Sequence, residues 1–203
     1  MRNKNVNKIG SNFLDSIDVK HLCIHQGLEC LAIMGDHIAD RIKNGNKVMF
    51  CGNGGSAADA QHLAAEMLIR LRPNINRAGM AAIALAQDTS TITACGNDFG
   101  FDKLYERMVQ ALGKEGDVLV ALSTSGNSEN IIRAMKQARG MGIKVFGFLG
   151  AGGGTALDLC DEAFVVPSDN TARIQEAHIT AGHALMEYVE DCLLLEGYLQ
   201  LQD

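Results

Sequence analysis

Two titratable side chains stand four residues apart in the first half of the chain, His62 and Glu66. At that spacing a helix places both on one face, where an imidazole and a carboxylate can accept and donate protons. The helix predicted here runs from residue 56 to about 70 and follows the sequence Cys51-Gly-Asn-Gly-Gly-Ser. A histidine on a helix is more often a packed or surface residue. The apolar Leu-Ala-Ala between the two side chains and the loop before them favour a site.

Two glycine- or serine-rich loops each lie between a predicted strand and a predicted helix. The first, residues 52–56, contains glycines that allow close backbone approach to a ligand, but by itself it is equally consistent with a tight turn. It is neither a Walker loop nor a GxGxxG fingerprint. The second, residues 123–128, has the sequence Ser-Thr-Ser-Gly-Asn-Ser, with four hydroxyls beside a helix start. That density favours a phosphate monoester over a helix cap with surplus serines.

A third group of polar side chains, Gln175, His178 and His183, lies on the last predicted helix. We expect His178 to form a hydrogen bond inside the core. From the residues alone, the site is predicted to bind a phosphorylated small molecule with a carboxylate and an imidazole nearby.

The apolar pattern places these residues on an α/β domain. Short apolar runs predict five strands, at residues 47–51, 80–86, 117–122, 143–149 and 163–166. Helices are predicted at residues 5–44, 56–70 (with Ser56 as N-cap), 89–95, 104–112, 128–140, 155–159 and 171–199. Strands that alternate with helices form a parallel sheet covered on both faces, which binds ligands at the carboxyl ends of its strands.

The last helix carries two apolar stripes. One consists of Ile174, Ala177, Ala181, Leu185, Tyr188 and Cys192, and the other of Ile179 and Met186 beside His183. Because a surface helix needs one stripe, the second predicts another subunit as packing partner. We therefore expect a homo-oligomer built on the terminal helices.

The composition excludes several classes of protein. A length of 203 residues suits one domain, and a net charge of −6 argues against a nucleic-acid or anionic-membrane surface. The chain has no apolar run of the roughly 18 residues that cross a bilayer. Six scattered cysteines, with no CxxC pair, predict a reducing, cytoplasmic setting. The 22 glycines cluster in loops, and those at residues 150–154 match no catalytic motif, so we predict a turn there.

Four segments together resemble the phosphoheptose isomerases of the sugar isomerase (SIS) domain group. They are residues 51–66, Gly-Asn-Asp-Phe-Gly at 96–100, Ser-Thr-Ser-Gly-Asn-Ser at 123–128 and Arg-Ile-Gln-Glu-Ala-His at 173–178. The resemblance implies conversion of D-sedoheptulose 7-phosphate to D-glycero-D-manno-heptose 7-phosphate through an enediol, the first step towards nucleotide-activated heptoses of bacterial surface polysaccharides such as lipopolysaccharide. It further implies one SIS domain over residues 1–203, a three-layer sandwich with a flavodoxin-like five-stranded parallel sheet, and a homotetramer with sites at subunit contacts.

The resemblance also assigns roles. Ser123, Thr124, Ser125 and Ser128 hold the phosphate, Asn53, Gly54, Ser56 and Asp98 the sugar, and Glu66 and Gln175 also contact the substrate. Glu66 and His183 are the acid/base pair, and either can act on carbon. One zinc ion (Zn²⁺) per subunit is implied, with the ligands His62, Glu66, Gln175 and His183.

Two points stay open. The first is that a zinc-bound carboxylate is a weaker base, which conflicts with Glu66 as both ligand and base. The second is that Gln175 and His183 lie eight residues apart, about 12 Å along a helix. They meet at one ion only by reaching towards each other or from different subunits. The alternatives to this isomerase are a non-catalytic SIS protein that binds the replication initiator and a SIS isomerase for another ketose phosphate. The full set of four polar residues argues against the first, and the lack of room for a regulatory region argues against an arabinose 5-phosphate enzyme.

Overall fold

The chain begins with two helices where the sequence predicts one. The computed structural model describes residues 2–85 and 88–202. Helix α1 (Arg2–Gln26) ends at Gly27, whose φ of +96° stops the helix, and α2 (Glu29–Lys43) begins two residues later. The apolar pattern of α2 is confirmed, since Leu31, Met34, Ile38 and Ile42 are all buried. The prediction of one helix over residues 5–44 is wrong because a left-handed glycine leaves the helical path.

Five parallel strands form the sheet that positions the site. They are β1 (Val48–Gly52), β2 (Ala82–Ala84), β3 (Val118–Ser123), β4 (Lys144–Leu149) and β5 (Glu162–Val165), in the order β2-β1-β3-β4-β5. The predicted strand at 80–86 is shorter than expected, and its last residue lies outside the described residues. The order reverses direction between β1 and β3, which is where open sheets of this kind bind ligands.

Helices cover both faces of this sheet, as predicted. The remaining helices are α3 (Gly55–Leu68), α4 (Thr89–Asp98), α5 (Leu104–Leu112), α6 (Glu129–Gly140) and α7 (Thr171–Leu195). One core contains α2, α3 and α7 with Phe50, Val120 and Phe148, and the other contains α4, α5 and α6 with Met49 and Leu119. Alternate residues of each central strand face opposite cores, so every residue of β1 and β3 is buried. The result is the three-layer sandwich that the sequence predicts.

Helix α7 uses both of its apolar stripes inside the chain. Met186 is 1% exposed within the core, and Ile179 packs against the same core. The inference that the second stripe needs another subunit is therefore wrong, because α7 lies in a groove and is covered on two sides. The helix also ends earlier than predicted, at Leu195, before Gly197 at a φ of +73°.

Two ion pairs with a buried carboxylate lie away from the strands' carboxyl ends, one just before β3 and one between α3 and α7. Asp117, 1% exposed, accepts from the Lys47 ammonium at 2.5 Å and from the backbone N–H of Lys47 and Lys114. Arg77 donates to the Glu190 carboxylate at 2.5 Å and to the main-chain oxygen of Glu66 at 2.9 Å, which holds the last turns of α3 against α7. Within the described residues, no helix is both long and apolar enough to cross a bilayer.

Candidate active site

The two loops singled out in the sequence lie side by side at the carboxyl edge of the sheet. Gly52 at the end of β1 is the register partner of Leu122 near the end of β3. Helix α3 begins at Gly55, with Gly54 as its N-cap residue, so Ser56 lies within the helix and is 3% exposed. The prediction of Ser56 as N-cap is wrong, because the Ser56 backbone N–H already donates to Asn53 O in the turn. The helix starts one residue earlier than its sequence indicated.

A reciprocal pair of amides joins the two loops. Asn53 Nδ2 donates to Asn130 Oδ1 at 2.9 Å, and Asn130 Nδ2 donates to Asn53 Oδ1 at 2.8 Å. Asn130 lies in the first turn of α6 and is 2% exposed. The side chain of Asn53, which the resemblance assigns to sugar binding, is thus engaged in holding the first loop beside the second.

Three titratable side chains meet where α3 packs against α7. The His62 and His183 Nε2 atoms are 2.8 Å apart, and His62 Nε2 lies 3.3 Å from Glu66 Oε1. One ligand atom from each of the three residues lies within 4.8 Å of the others. Glu66 is largely shielded, with a side chain 14% exposed, whereas the His62 side chain is 48% exposed. The i, i+4 pair predicted from the sequence is therefore confirmed, and His183 joins it across the helix interface.

The approach of His183 depends on the residue before it. A Cβ on Gly182 would lie 2.7 Å from Leu63 Cδ2, so a larger residue there would require the Leu63 side chain to shift. Gln175 lies two turns before His183 on α7 and also packs against a glycine. A Cβ on Gly55 would lie 2.7 Å from both polar atoms of the Gln175 amide. Gln175 therefore faces the first loop, while His183 faces His62 seven residues further along α3.

Asp59 is a member of this neighbourhood that the sequence did not indicate. It stands one turn before His62 on α3, and its Oδ2 atom is buried without a hydrogen-bond partner in the described part of the chain. Burial raises the pKa of the Asp59 carboxyl above its usual range, and the His62 and His183 imidazoles oppose that rise. The spacing Asp59, His62, Glu66 was the available signal, since all three lie on one side of a helix.

The hydroxyl-rich loop lies between β3 and α6, as predicted. Ser123 is 4% exposed, and its Oγ accepts from the Gly126 backbone N–H at 3.1 Å. The Ser125 Oγ is exposed and accepts from Asn127 N–H at 3.2 Å, and Thr124 is half-buried. Ser128 is the N-cap residue of α6 but makes no side-chain cap hydrogen bond, so its hydroxyl is not committed to the helix. Two of the four hydroxyls thus shape the loop, and the Ser128 hydroxyl lies at the start of α6.

Two further predicted residues have simpler surroundings. Asp98 ends α4, is exposed and accepts from Asn97 Nδ2 at 2.7 Å, so its carboxylate lies on a helix end and not in a loop. His178 is fully buried and donates from Nε2 to Leu149 O at 3.0 Å, which confirms the core role expected of it. Burial lowers the pKa of His178 to about 4.

The donor set of the three-residue cluster fits a metal ion. Two imidazole nitrogens and a carboxylate oxygen are the ligands that borderline divalent ions such as zinc prefer. The Glu66 Oε2 atom is buried and accepts no hydrogen bond from the described residues, so it has a free lone pair. The cluster could therefore hold a cation.

Comparison with known proteins identifies the family of the chain. The family model of the SIS domain matches residues 13–150. Over 181 residues the chain is 48% identical to a phosphoheptose isomerase of Chlorobaculum parvum, covering 89% of this chain and 87% of the relative.

Solved structures of similar proteins share the fold over nearly the whole chain. The phosphoheptose isomerase of Neisseria gonorrhoeae superposes with a TM-score of 0.85 at 40% identity, covering 91% of this chain and 98% of that one. The enzyme of Francisella tularensis superposes with a TM-score of 0.87 at 36% identity, covering 92% and 98%. On sequence and on structure alike, the chain belongs to the phosphoheptose isomerase family of SIS-domain proteins.

Proposed function

We propose that this protein is a sugar-phosphate isomerase that converts D-sedoheptulose 7-phosphate to D-glycero-D-manno-heptose 7-phosphate, an early step in heptose biosynthesis. The observation that carries the proposal is the cluster of His62, Glu66 and His183 between α3 and α7, in a chain of this family. An aldose–ketose shift moves one proton between C1 and C2 and another between the two oxygens. A carboxylate and an imidazole are suited to both transfers.

Glu66 and His183 are the proposed acid/base pair. One takes the proton from carbon and the other supplies the proton to oxygen, and each well-placed group contributes about 10²- to 10⁴-fold. The partial burial of Glu66 excludes bulk water from its carboxylate, and His62 lies between the two groups, within 3.3 Å of Glu66 Oε1 and 2.8 Å of His183 Nε2. Substrate binding at this cluster therefore brings both protons within reach of a side chain.

The loop at residues 123–128 is the proposed phosphate site. Ser123, Thr124, Ser125 and Ser128 supply hydroxyls, and the free backbone N–H groups at the start of α6 favour an anion. The sugar is assigned to Asn53, Gly54, Ser56, Glu66, Asp98 and Gln175. The Asn53–Asn130 amide pair supports this assignment, because it fixes the sugar loop at one distance from the phosphate loop.

Zinc is the proposed metal, held by His62, Glu66 and His183. Gln175, whose amide lies against Gly55, is the proposed fourth ligand and would join them only by reaching towards the ion or from another subunit. When bound, zinc would polarise the C2 carbonyl and offset the charge that develops on the enediolate. A carboxylate that is bound to zinc is a weaker base, so Glu66 cannot keep its full basicity while it is a metal ligand. Metal content and acid/base role are therefore tested separately.

The chain is further proposed to form one SIS domain over residues 1–203 and to assemble as a homotetramer with sites at subunit contacts. Helix α7 lies beyond the matched residues 13–150 yet supplies His183, which supports the single domain. The support for assembly comes from α1, which exposes seven large apolar side chains: Val6, Ile9, Phe13, Leu14, Ile17, Leu22 and Ile24. A monomeric mass by light scattering at micromolar concentration would contradict the tetramer. The cytoplasmic location and the destination of the heptose stay predictions.

The deciding experiment incubates the protein with sedoheptulose 7-phosphate and follows aldose formation by NMR. Glu66→Gln and His183→Ala should each lower kcat by at least about 100-fold. Glu115→Gln is the matched control, because Glu115 is an exposed side chain beside Gly142, in a turn that precedes β3. No turnover with or without zinc would favour a non-catalytic protein, and turnover of another ketose phosphate alone would change the substrate.

A further inference from the structure

The glycine-rich segment after β4 has no role in the chemistry described so far. Residues 150–154 were predicted as a simple turn. In the structure they begin an irregular segment, Ala151–Leu159, in which Gly152, Gly153 and Gly154 all have positive φ, at 75°, 89° and 53°. With Ala151 at a φ of +48°, four consecutive residues have positive φ, which is more than a reversal of the chain requires, so the segment is shaped to fit against another part of the chain.

The surface it fits is the proposed phosphate loop. Gly126 in that loop is buried, and a Cβ built on it would lie 1.9 Å from the main-chain oxygen of Gly153. The Ala156 N–H donates to Gly126 O at 2.9 Å. The two backbones therefore touch directly, with no room for a side chain between them.

Side chains extend the contact on both sides of Gly126. Asn127 Oδ1 accepts from the backbone N–H and from the hydroxyl of Thr155, both at 3.0 Å. The same amide donates from Nδ2 to Ser125 O at 2.9 Å, so Asn127 ties Thr155 to the loop. A Cβ on Gly154 would lie 2.6 Å from Ser125 O and 2.8 Å from the Asn127 amide.

These contacts determine the shape of the loop. The segment Ser125–Asn127 is held on one side by its own hydroxyls and on the other by residues 153–156. Phosphate binding by neutral donors needs their directions set before the ligand arrives, since no charged side chain of the motif compensates for a misplaced donor. A change in residues 153–155 therefore displaces phosphate donors that belong to residues 125–127.

We propose that Gly153, Gly154 and Thr155 are positioning residues for phosphate binding, which act by holding residues 125–127 in the shape that receives the phosphate. The proposal rests on the proposed role of residues 123–128 as the phosphate site. It assigns a function to a segment that carries no hydroxyl, acid or base used in the isomerisation.

The test uses two pairs of variants of the full chain, with inorganic phosphate as the probe. Gly154→Ala places a methyl group against Ser125 and Asn127, whereas Gly152→Ala introduces the same group at positive φ with nothing within 4 Å. Thr155→Val removes the hydroxyl that donates to Asn127, and Thr155→Ser restores it. Calorimetry measures phosphate affinity, steady-state kinetics separates KM from kcat, and thermal unfolding reports the fold of each variant.

We expect Gly154→Ala to weaken phosphate binding by about 10-fold or more and Thr155→Val by about 3-fold, with KM rising by the same factors and kcat within about 2-fold. Gly152→Ala and Thr155→Ser should stay within about 2-fold of the unchanged protein. A purely structural role would lower stability in all glycine variants without this division between KM and kcat.

Three outcomes separate the inference from the function on which it rests. If the unchanged protein binds phosphate and folded Thr155→Val and Gly154→Ala bind it equally well, the positioning role is wrong and the phosphate site stands. An equal loss in Gly152→Ala would overturn the positioning role in the same way. If the unchanged protein binds no phosphate, the assignment of residues 123–128 fails, and the positioning role fails with it.

Discussion

Asn130 offers the sharpest test of how the two loops of the site are joined. Its side chain is 2% exposed and makes two hydrogen bonds to Asn53, at 2.8 and 2.9 Å. Replacement by alanine removes both hydrogen bonds, so the partly buried Asn53 amide is left with water as its hydrogen-bond partner. At about 0.5 to 1.5 kcal/mol for each neutral hydrogen bond, Asn130→Ala should lower the free energy of unfolding by about 1 to 3 kcal/mol.

A double-mutant cycle isolates the part of that loss that belongs to the pair. Asn53→Ala breaks the same two bonds from the other side, so the double variant should be little less stable than either single one. The coupling free energy should therefore reach about 1 to 2 kcal/mol. Because freed loops no longer keep the proposed sugar and phosphate sites at one separation, KM should also rise in both single variants.

The assay is urea unfolding at one fixed protomer concentration, since assembly makes apparent stability depend on concentration. Asn74→Ala is the matched control, because Asn74 is exposed in a turn outside the sheet. If the two single losses add in the double variant to within about 0.5 kcal/mol, the amide pair does not couple the loops and the reasoning is refuted.

Three further predictions concern the core, the sheet and the metal. Burial lowers the pKa of His178 to about 4, below its value in the unfolded chain. The contribution of His178 to the free energy of unfolding should therefore be complete above about pH 6.5 and fall by up to about 3 kcal/mol towards pH 4. A His178→Met variant that shows the same dependence on pH in urea unfolding would contradict this prediction. Burial raises the pKa of Asp117, but the Lys47 ammonium and the backbone donors outweigh burial and lower the pKa overall. Asp117→Asn should therefore lower the free energy of unfolding by about 3 kcal/mol at pH 7, and the difference from the unchanged protein should shrink as pH falls below about 4. Denaturation at both pH values checks this prediction. Protein purified without chelator should contain about one zinc per chain and His62→Ala much less, and elemental analysis that finds no metal in the unchanged protein would refute the site.

The layers of the fold could be predicted because each depends on a local pattern. The strand at β3 is a continuous apolar run, and its burial on both faces is what such a run indicates. The break between α1 and α2 was missed for an equally local reason. Residues on both sides of Gly27 continue a helical pattern, and a glycine within such a pattern is compatible with either a continuous helix or a C-terminal stop.

The site was only partly predictable, because half of it depends on how distant elements pack. His62 and Glu66 follow from spacing on one helix, whereas the contact with His183 needs the exact depth at which α7 meets α3. Asn130 gave no signal of its own in the sequence, since its partner Asn53 is 77 positions away. Met186 was misassigned to a subunit interface for the same reason, because a helical stripe does not say which neighbour covers it.

Three contacts of the site share one physical cause, which the composition indicated only indirectly. In each, a Cβ on the glycine would lie closer than 3 Å to an atom of another segment: Gly182 to Leu63, Gly55 to the Gln175 amide, and Gly126 to the main-chain oxygen of Gly153. Sequence reasoning treats a glycine first as a turn or a helix stop, because those roles follow from its own backbone. Whether a glycine lets two segments pack closely depends on the residues that face it, so this role is visible only in the folded chain. The proposed phosphate loop is therefore positioned by the approach of two main chains, and the cluster of His62, Glu66 and His183 lies beside a glycine that leaves room for Leu63.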